Sequence, residues 1–153
     1  MNNWAKLIKF FIYTILFSLV ASYSMALSSD WSVGETSKLR LISAYSQNDS
    51  KNFMIGLEYQ MDPGWKTYWK SPGDGGFAQS ISWENSTNVK NVNILWPTPI
   101  EFEILGLTSL GYQNDIIFPL EIELEDELKN TFLNLHITFL ICKEICIPGD
   151  ATI

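Results

Sequence analysis

Soft metal ligands are scarce in this chain, with two Cys and one His among 153 residues. A structural zinc site takes four such ligands, so it is a poor expectation here. Two Cys cannot build the dense disulfide framework of small secreted scaffolds either. Basic residues are also few: 10 Lys and Arg stand against 17 Asp and Glu, a formal net charge of −7. Binding to DNA or RNA draws on a Lys/Arg surplus, which this chain lacks. Beyond the N-terminal segment, no apolar run in the sequence approaches the ~20 residues of a comfortable membrane span. Apolar and aromatic residues are plentiful, at 46% and 14%, which excludes a disordered tail. The length fits one domain.

The N-terminal segment reads as an address. Lys6 and Lys9 precede an uncharged stretch of 12 residues, Phe10 to Ala21, and small residues follow at Ser24 and Ala26. A charged n-region, a short h-region and a small-residue cleavage site make a secretory signal peptide. The expectation is a signal peptide over residues 1–26 and one folded domain over residues 27–153. An uncleaved N-terminal anchor is the competing reading. Either reading puts the folded part outside the cytoplasm, where a Cys pair can be oxidised.

Beyond residue 27 the pattern is of strands and turns. Residues 53, 55, 57, 59 and 61 are apolar, a period of 2 that predicts a half-buried strand over 53–61. Further strands are expected over 38–45, 81–83, 92–96, 105–112, 116–124 and 134–142. The strand over 116–124 is placed at a sheet edge, because Pro119 has no N–H for a central ladder. A turn-rich connection is expected across Pro63 to Gly76, and another turn at Pro148-Gly149. The acids from Glu121 to Glu127 read as a solvated strand end, since the spacing of an EF-hand loop is absent. Gly73 to Gly76 lacks the Lys-Ser/Thr context of a phosphate loop. The two Asn-x-Ser/Thr matches, at Asn48 and Asn85, read as chance. Short strands without an amphipathic helix predict an all-β sandwich in a single domain.

Cys142 and Cys146 carry the candidate chemistry. Leu133, Leu135, Ile137, Phe139 and Ile141 are apolar and alternate with Asn134, His136 and Thr138. Cys142 therefore falls on the side away from the core, and its sulfur is expected to face outward. Four residues of extended strand separate Cα atoms by ~13 Å, whereas a disulfide needs ~7 Å or less. Pairing thus demands a turn over Lys143 to Ile145, at a sheet corner another protein could reach. The pair is either a permanent staple or a dithiol that cycles through thiolate and mixed disulfide. Copper(I) held by the two thiolates is a third, weaker option. His136 lies ~20 Å along the same strand and receives no role. Lys143 would lower a neighbouring thiol pKa and Glu144 would oppose it.

Four ordered motifs then resemble one family. They are Gly64-Trp65-Lys66-Thr67-Tyr68-Trp69-Lys70-Ser71-Pro72-Gly73-Asp74-Gly75-Gly76, Leu95-Trp96-Pro97-Thr98-Pro99, Gly106-Leu107 through Gly111-Tyr112, and Cys142-Lys143-Glu144-Ile145-Cys146-Ile147-Pro148-Gly149. The chain resembles the N-terminal periplasmic domain of the DsbD/ScsB-type thiol:disulfide interchange proteins (protein-disulfide reductases). The resemblance runs from about Trp31 to the C-terminus. It implies an immunoglobulin-like β-sandwich whose redox pair is Cys142 and Cys146, working without a bound cofactor. It implies periplasmic thioredoxin-like partners, of the disulfide isomerase or cytochrome c maturation type. Neither an electron channel nor a thioredoxin-like C-x-x-C domain is in this sequence. A separate membrane electron donor is therefore expected. The alternatives are a non-catalytic immunoglobulin-like binding module with a structural disulfide, or an inactive fragment of a longer reductase. In the first motif, Trp65, Tyr68 and Trp69 could cap the cysteines, offer a docking surface, or pack the sandwich edge.

Overall fold

The computed structural model of the protein describes residue 4, residues 27–43 and residues 52–153. The proposed signal segment, residue 4 apart, and the end of the strand expected over 38–45 lie outside the described residues. Among the described residues eleven strands follow in order: β1 Ser32–Val33, β2 Ser37–Ser43, β3 Asn52–Met61, β4 Lys66–Gly73, β5 Ser80–Ser82, β6 Val89–Ile94, β7 Ile100–Ile104, β8 Leu107–Gln113, β9 Asp115–Leu124, β10 His136–Cys142 and β11 Cys146–Thr152. They form two antiparallel sheets, ordered β1-β2-β3-β9-β6 and β11-β10-β4-β8-β7, with β5 paired to β10. This is an all-β, immunoglobulin-like sandwich.

The core lies between the sheets, where period-2 alternation sends one side chain in two. Leu39, Leu57, Tyr59, Phe118, Leu120 and Ile122 come from the first sheet and meet Ile137, Phe139 and Ile141 of β10. Phe118 sits at the centre. Its ring meets Tyr59, Trp96 and Tyr112 edge-on, at centroid distances of 5.4, 5.7 and 5.0 Å. Such pairs add roughly 0.5–1.5 kcal/mol each beyond the area they bury.

Four expectations need correction. The strand carrying Pro119 is central, lying between β3 and β6. Pro119 C=O accepts the N–H of Leu95 at 2.8 Å, just beyond the end of β6. A residue's N and C=O point to the same side of an antiparallel strand. The missing N–H therefore costs one bond at the end of β6 and none against β3. Second, the Pro63 to Gly76 connection contains a full strand, β4. Third, the strand expected over 105–112 begins only at Leu107, as β8, because Leu105 and Gly106 form the turn that joins it to β7 in a hairpin, at φ 53° and 77°. Two residues at positive φ make a type I′ turn, and Leu is a poor marker for one. Fourth, β11 runs straight through Pro148-Gly149.

Strand β11 is tolerant of that proline for a geometric reason. Leu135 and Ile153 exchange both backbone bonds, so pairs alternate from there along the β10–β11 ladder. Leu140↔Pro148 is then a non-hydrogen-bonded pair. The nitrogen of Pro148 points away from β10, toward the free edge of the sheet.

Candidate functional site

Cys142 ends β10 and Cys146 begins β11, directly opposite one another in register. Their sulfurs are bonded at 2.05 Å, with the Cα atoms 4.1 Å apart. The turn demanded by the spacing is present at Lys143 to Ile145, where Lys143 N–H donates to Ile145 C=O at 2.9 Å. The disulfide thus joins the two strands at the tip of a hairpin.

The two cysteines differ sharply in access. Cys146 is exposed, whereas Cys142 is 0% exposed. The alternation along β10 gives the side of Cys142 correctly, away from the main core. Its expected outward exposure is overturned, because a second apolar cluster covers that face. Tyr68, Ile104 and Leu140 are buried with Cys142, and Phe102 packs against them. Positions 66 and 68 of β4 share the outer face, as do 102 and 104 of β7. These two strands together roof the sulfur.

Tyr68 makes the closest polar contact. Its hydroxyl donates to Cys142 Sγ at 3.1 Å and lies 4.0 Å from Cys146 Sγ. Burial pushes the Tyr68 hydroxyl pKa up, so it stays a proton donor at neutral pH. Its ring stands 5.9 Å from that of Phe102. Gly76, at φ 86°, is pressed against this ring: a Cβ there would fall 2.3 Å from it. Only glycine allows the approach at such a backbone angle. Trp65 and Trp69 pack instead against the main core. The aromatics of the first motif therefore divide between covering the sulfur and filling the sandwich.

Two ammonium groups flank the hairpin. Lys66 lies directly opposite Cys142 on β4 and is half-buried. Its Nζ donates to Gly64 C=O at 3.1 Å and stands 5.6 Å above the Phe102 ring. Lys143 Nζ donates to the neighbouring Pro63 C=O at 3.4 Å. His136 is at the far end of β10, with Nδ1 3.2 Å from Thr152 Oγ1. Among these neighbours, sequence reasoning missed Lys66, Phe102 and Ile104. The alternation Ile100, Phe102, Ile104 was the available signal.

The chain is similar to proteins of known family. A crystal structure of the N-terminal periplasmic domain of ScsB from Proteus mirabilis superposes with a TM-score of 0.69 at 30% sequence identity. The match covers 84% of this chain and 50% of that one, so the chain spans half the length of that solved structure. No curated protein matches the chain. Residues 38–153 match the family described as "Thiol:disulfide interchange protein DsbD, N-terminal". That interval takes in both sheets, the roof over Cys142 and the cysteine hairpin, so the chain belongs to the family of DsbD N-terminal domains of thiol:disulfide interchange proteins.

Proposed function

We propose that this chain is a periplasmic thiol:disulfide exchange domain, in which Cys142 and Cys146 pass reducing equivalents to oxidised partner proteins. The inequality of the two sulfurs is the observation that carries the reading. Cys146 is exposed at the hairpin tip, while Cys142 is buried beneath Tyr68. In the reduced domain, the Cys146 thiolate attacks one sulfur of a partner disulfide and expels the other as a thiolate. The Cys142 thiolate then attacks Cys146 Sγ and releases the second partner sulfur. The partner gains two electrons and two protons, and the Cys142–Cys146 bond is restored. No cofactor takes part.

The partners are thioredoxin-like periplasmic proteins, of the disulfide isomerase or cytochrome c maturation type. A separate membrane protein re-reduces the pair. Residues 1–26 serve as the signal peptide that delivers residues 27–153. Family membership and the position of the pair at an accessible tip support this reading.

The test is trapping, with an oxidised thioredoxin-like disulfide isomerase as probe. Cys142→Ser should leave Cys146 joined to the probe in a lasting mixed disulfide, and Cys146→Ser should not. The reduction potential should lie well above about −300 mV, as for exchange proteins. A lower potential without trapping would leave a binding module with a staple.

A further inference from the structure

Cys146 begins a strand that, among the described residues, no second strand covers on its outer side. We propose that β11 takes up an extended segment of the oxidised partner protein as an added strand, which lays that partner alongside Cys146. The inference rests on the redox reading above and names the surface by which the partner is recognised.

The backbone pattern follows from the ladder with β10. Leu135 and Ile153 exchange both backbone bonds, and an antiparallel pair alternates from there. Residues 146, 148, 150 and 152 therefore direct their backbone groups away from β10. Cys146, Asp150 and Thr152 offer N–H groups on that side, and carbonyls accompany them. Such an edge suits β-augmentation, where main-chain bonds give affinity and pockets for alternate side chains give specificity. Pro148 has no N–H to offer, so the row fits a short segment and not a long continuous strand.

A pocket for those side chains lies beside the row. Between the edges of the two sheets is a cleft of about 240 Å³. Leu39, Phe139 and Ile141 of the core line it, together with Ile147 of β11. Gly34 and Gly149 border it without side chains. Ala151 is buried in the core, which makes 147, 149 and 151 the inward positions of β11. Cross-strand neighbours share a face, so segment residues opposite these three point toward the cleft. The segment is thus apolar at every second position. Glu35 and Asp150 stand exposed at the cleft, so its outward positions are neutral or basic. A segment paired at the start of the row lies one strand spacing, ~4.8 Å, from the Cys146 backbone.

The experiment mixes the disulfide-bonded chain with an oxidised thioredoxin-like disulfide isomerase. Neither has a free thiol of the pair, so contact is read without exchange. Amide resonances of Asp150 and Thr152 should shift on titration, and their hydrogen exchange should slow. Calorimetry then compares Asp150→Pro with Asp150→Ala. Both spare the β10 ladder, because the nitrogen of residue 150 faces the sheet edge as that of Pro148 does. Asp150→Pro should weaken binding about tenfold through one lost backbone bond. Asp150→Ala should hold it within about twofold, as a surface change that keeps the N–H. The amide shifts carry the test if Asp150→Pro does not fold. Unmoved amides at 150 and 152, or equal affinity in the Pro and Ala variants, overturn the strand addition. Exchange of the reduced chain with glutathione disulfide separates the two ideas. Exchange without the amide shifts sinks only the docking, whereas the shifts without exchange uphold the docking and sink the redox reading.

Discussion

The Tyr68 hydroxyl lies 3.1 Å from Cys142 Sγ and donates a hydrogen bond to it. One aromatic side chain thus covers a disulfide sulfur and supplies its nearest proton donor. Removing the hydroxyl separates these two tasks. Tyr68→Phe should keep the fold and the disulfide, because the ring still fills its place. Reduction of the probe isomerase should slow about tenfold, the equivalent of roughly 1.4 kcal/mol for a hydrogen bond to a charged group. An unchanged rate would mean the phenol serves only as cover.

Gly76→Ala tests the cover itself. Its Cβ would fall 2.3 Å from the Tyr68 ring at a φ of 86°, so the ring must move. Stability should drop by about 2 kcal/mol from strain and overpacking. The freed Cys142 should react faster with an alkylating reagent after reduction. Urea unfolding and timed alkylation of the reduced protein measure the two effects.

Phe118→Ala should be among the costliest core changes. The ring is 0% exposed and meets three aromatic partners, so a loss of about 4 kcal/mol is expected in urea unfolding.

Asn88 ties the connection between β9 and β10 to the sandwich. Its Nδ2 donates to Asp126 C=O and Lys129 C=O at 2.8 and 3.1 Å, and its Oδ1 accepts from Asp126 N–H at 2.9 Å. Its φ is 62°. Asn88→Ala should lose about 3 kcal/mol, combining severed hydrogen bonds with a disfavoured backbone. Asn88→Gly should lose about 1 kcal/mol less, since glycine accepts that angle. Thermal unfolding of the pair reads the difference.

Alkali should unfold the domain through its tyrosines. Burial pushes the Tyr112 hydroxyl up to about 12 from the ordinary 10.0, and it raises Tyr59 and Tyr68 as well. The unfolded chain releases these protons first. Stability is therefore whole below pH 10 and falls as pH rises toward 12. Urea midpoints across that range should decline, with less slope in Tyr112→Phe.

Local pattern revealed the sandwich because strands such as β3 and β10 bury one face. The side on which Cys142 lies was legible from Ile137, Phe139 and Ile141 alone. Its burial was not, since the roof comes from Tyr68, Phe102 and Ile104, far away in the chain. Pro119 and Pro148 misled for one shared reason. Proline costs a ladder at most the one bond its nitrogen would have made, at the end of β6 for Pro119 and none against β10 for Pro148, and that depends on register with another strand. Gly149 looked like a turn residue, yet it lies under Phe139, where a Cβ would fall 2.5 Å from the ring. The turn at Leu105-Gly106 was hidden because Leu occupies a position that Asn or Gly usually marks.

Pro148 also decides how the molecule behaves toward its own copies. Among the described residues β11 is an edge of its sheet, and such an edge is a template for strand addition between molecules. A second copy laid along it would find no N–H at residue 148, on the side where one is required. Edge-to-edge stacking is interrupted within two residues of Cys146. The domain can therefore leave the more accessible of its two cysteines at a sheet margin without inviting fibrous self-association there.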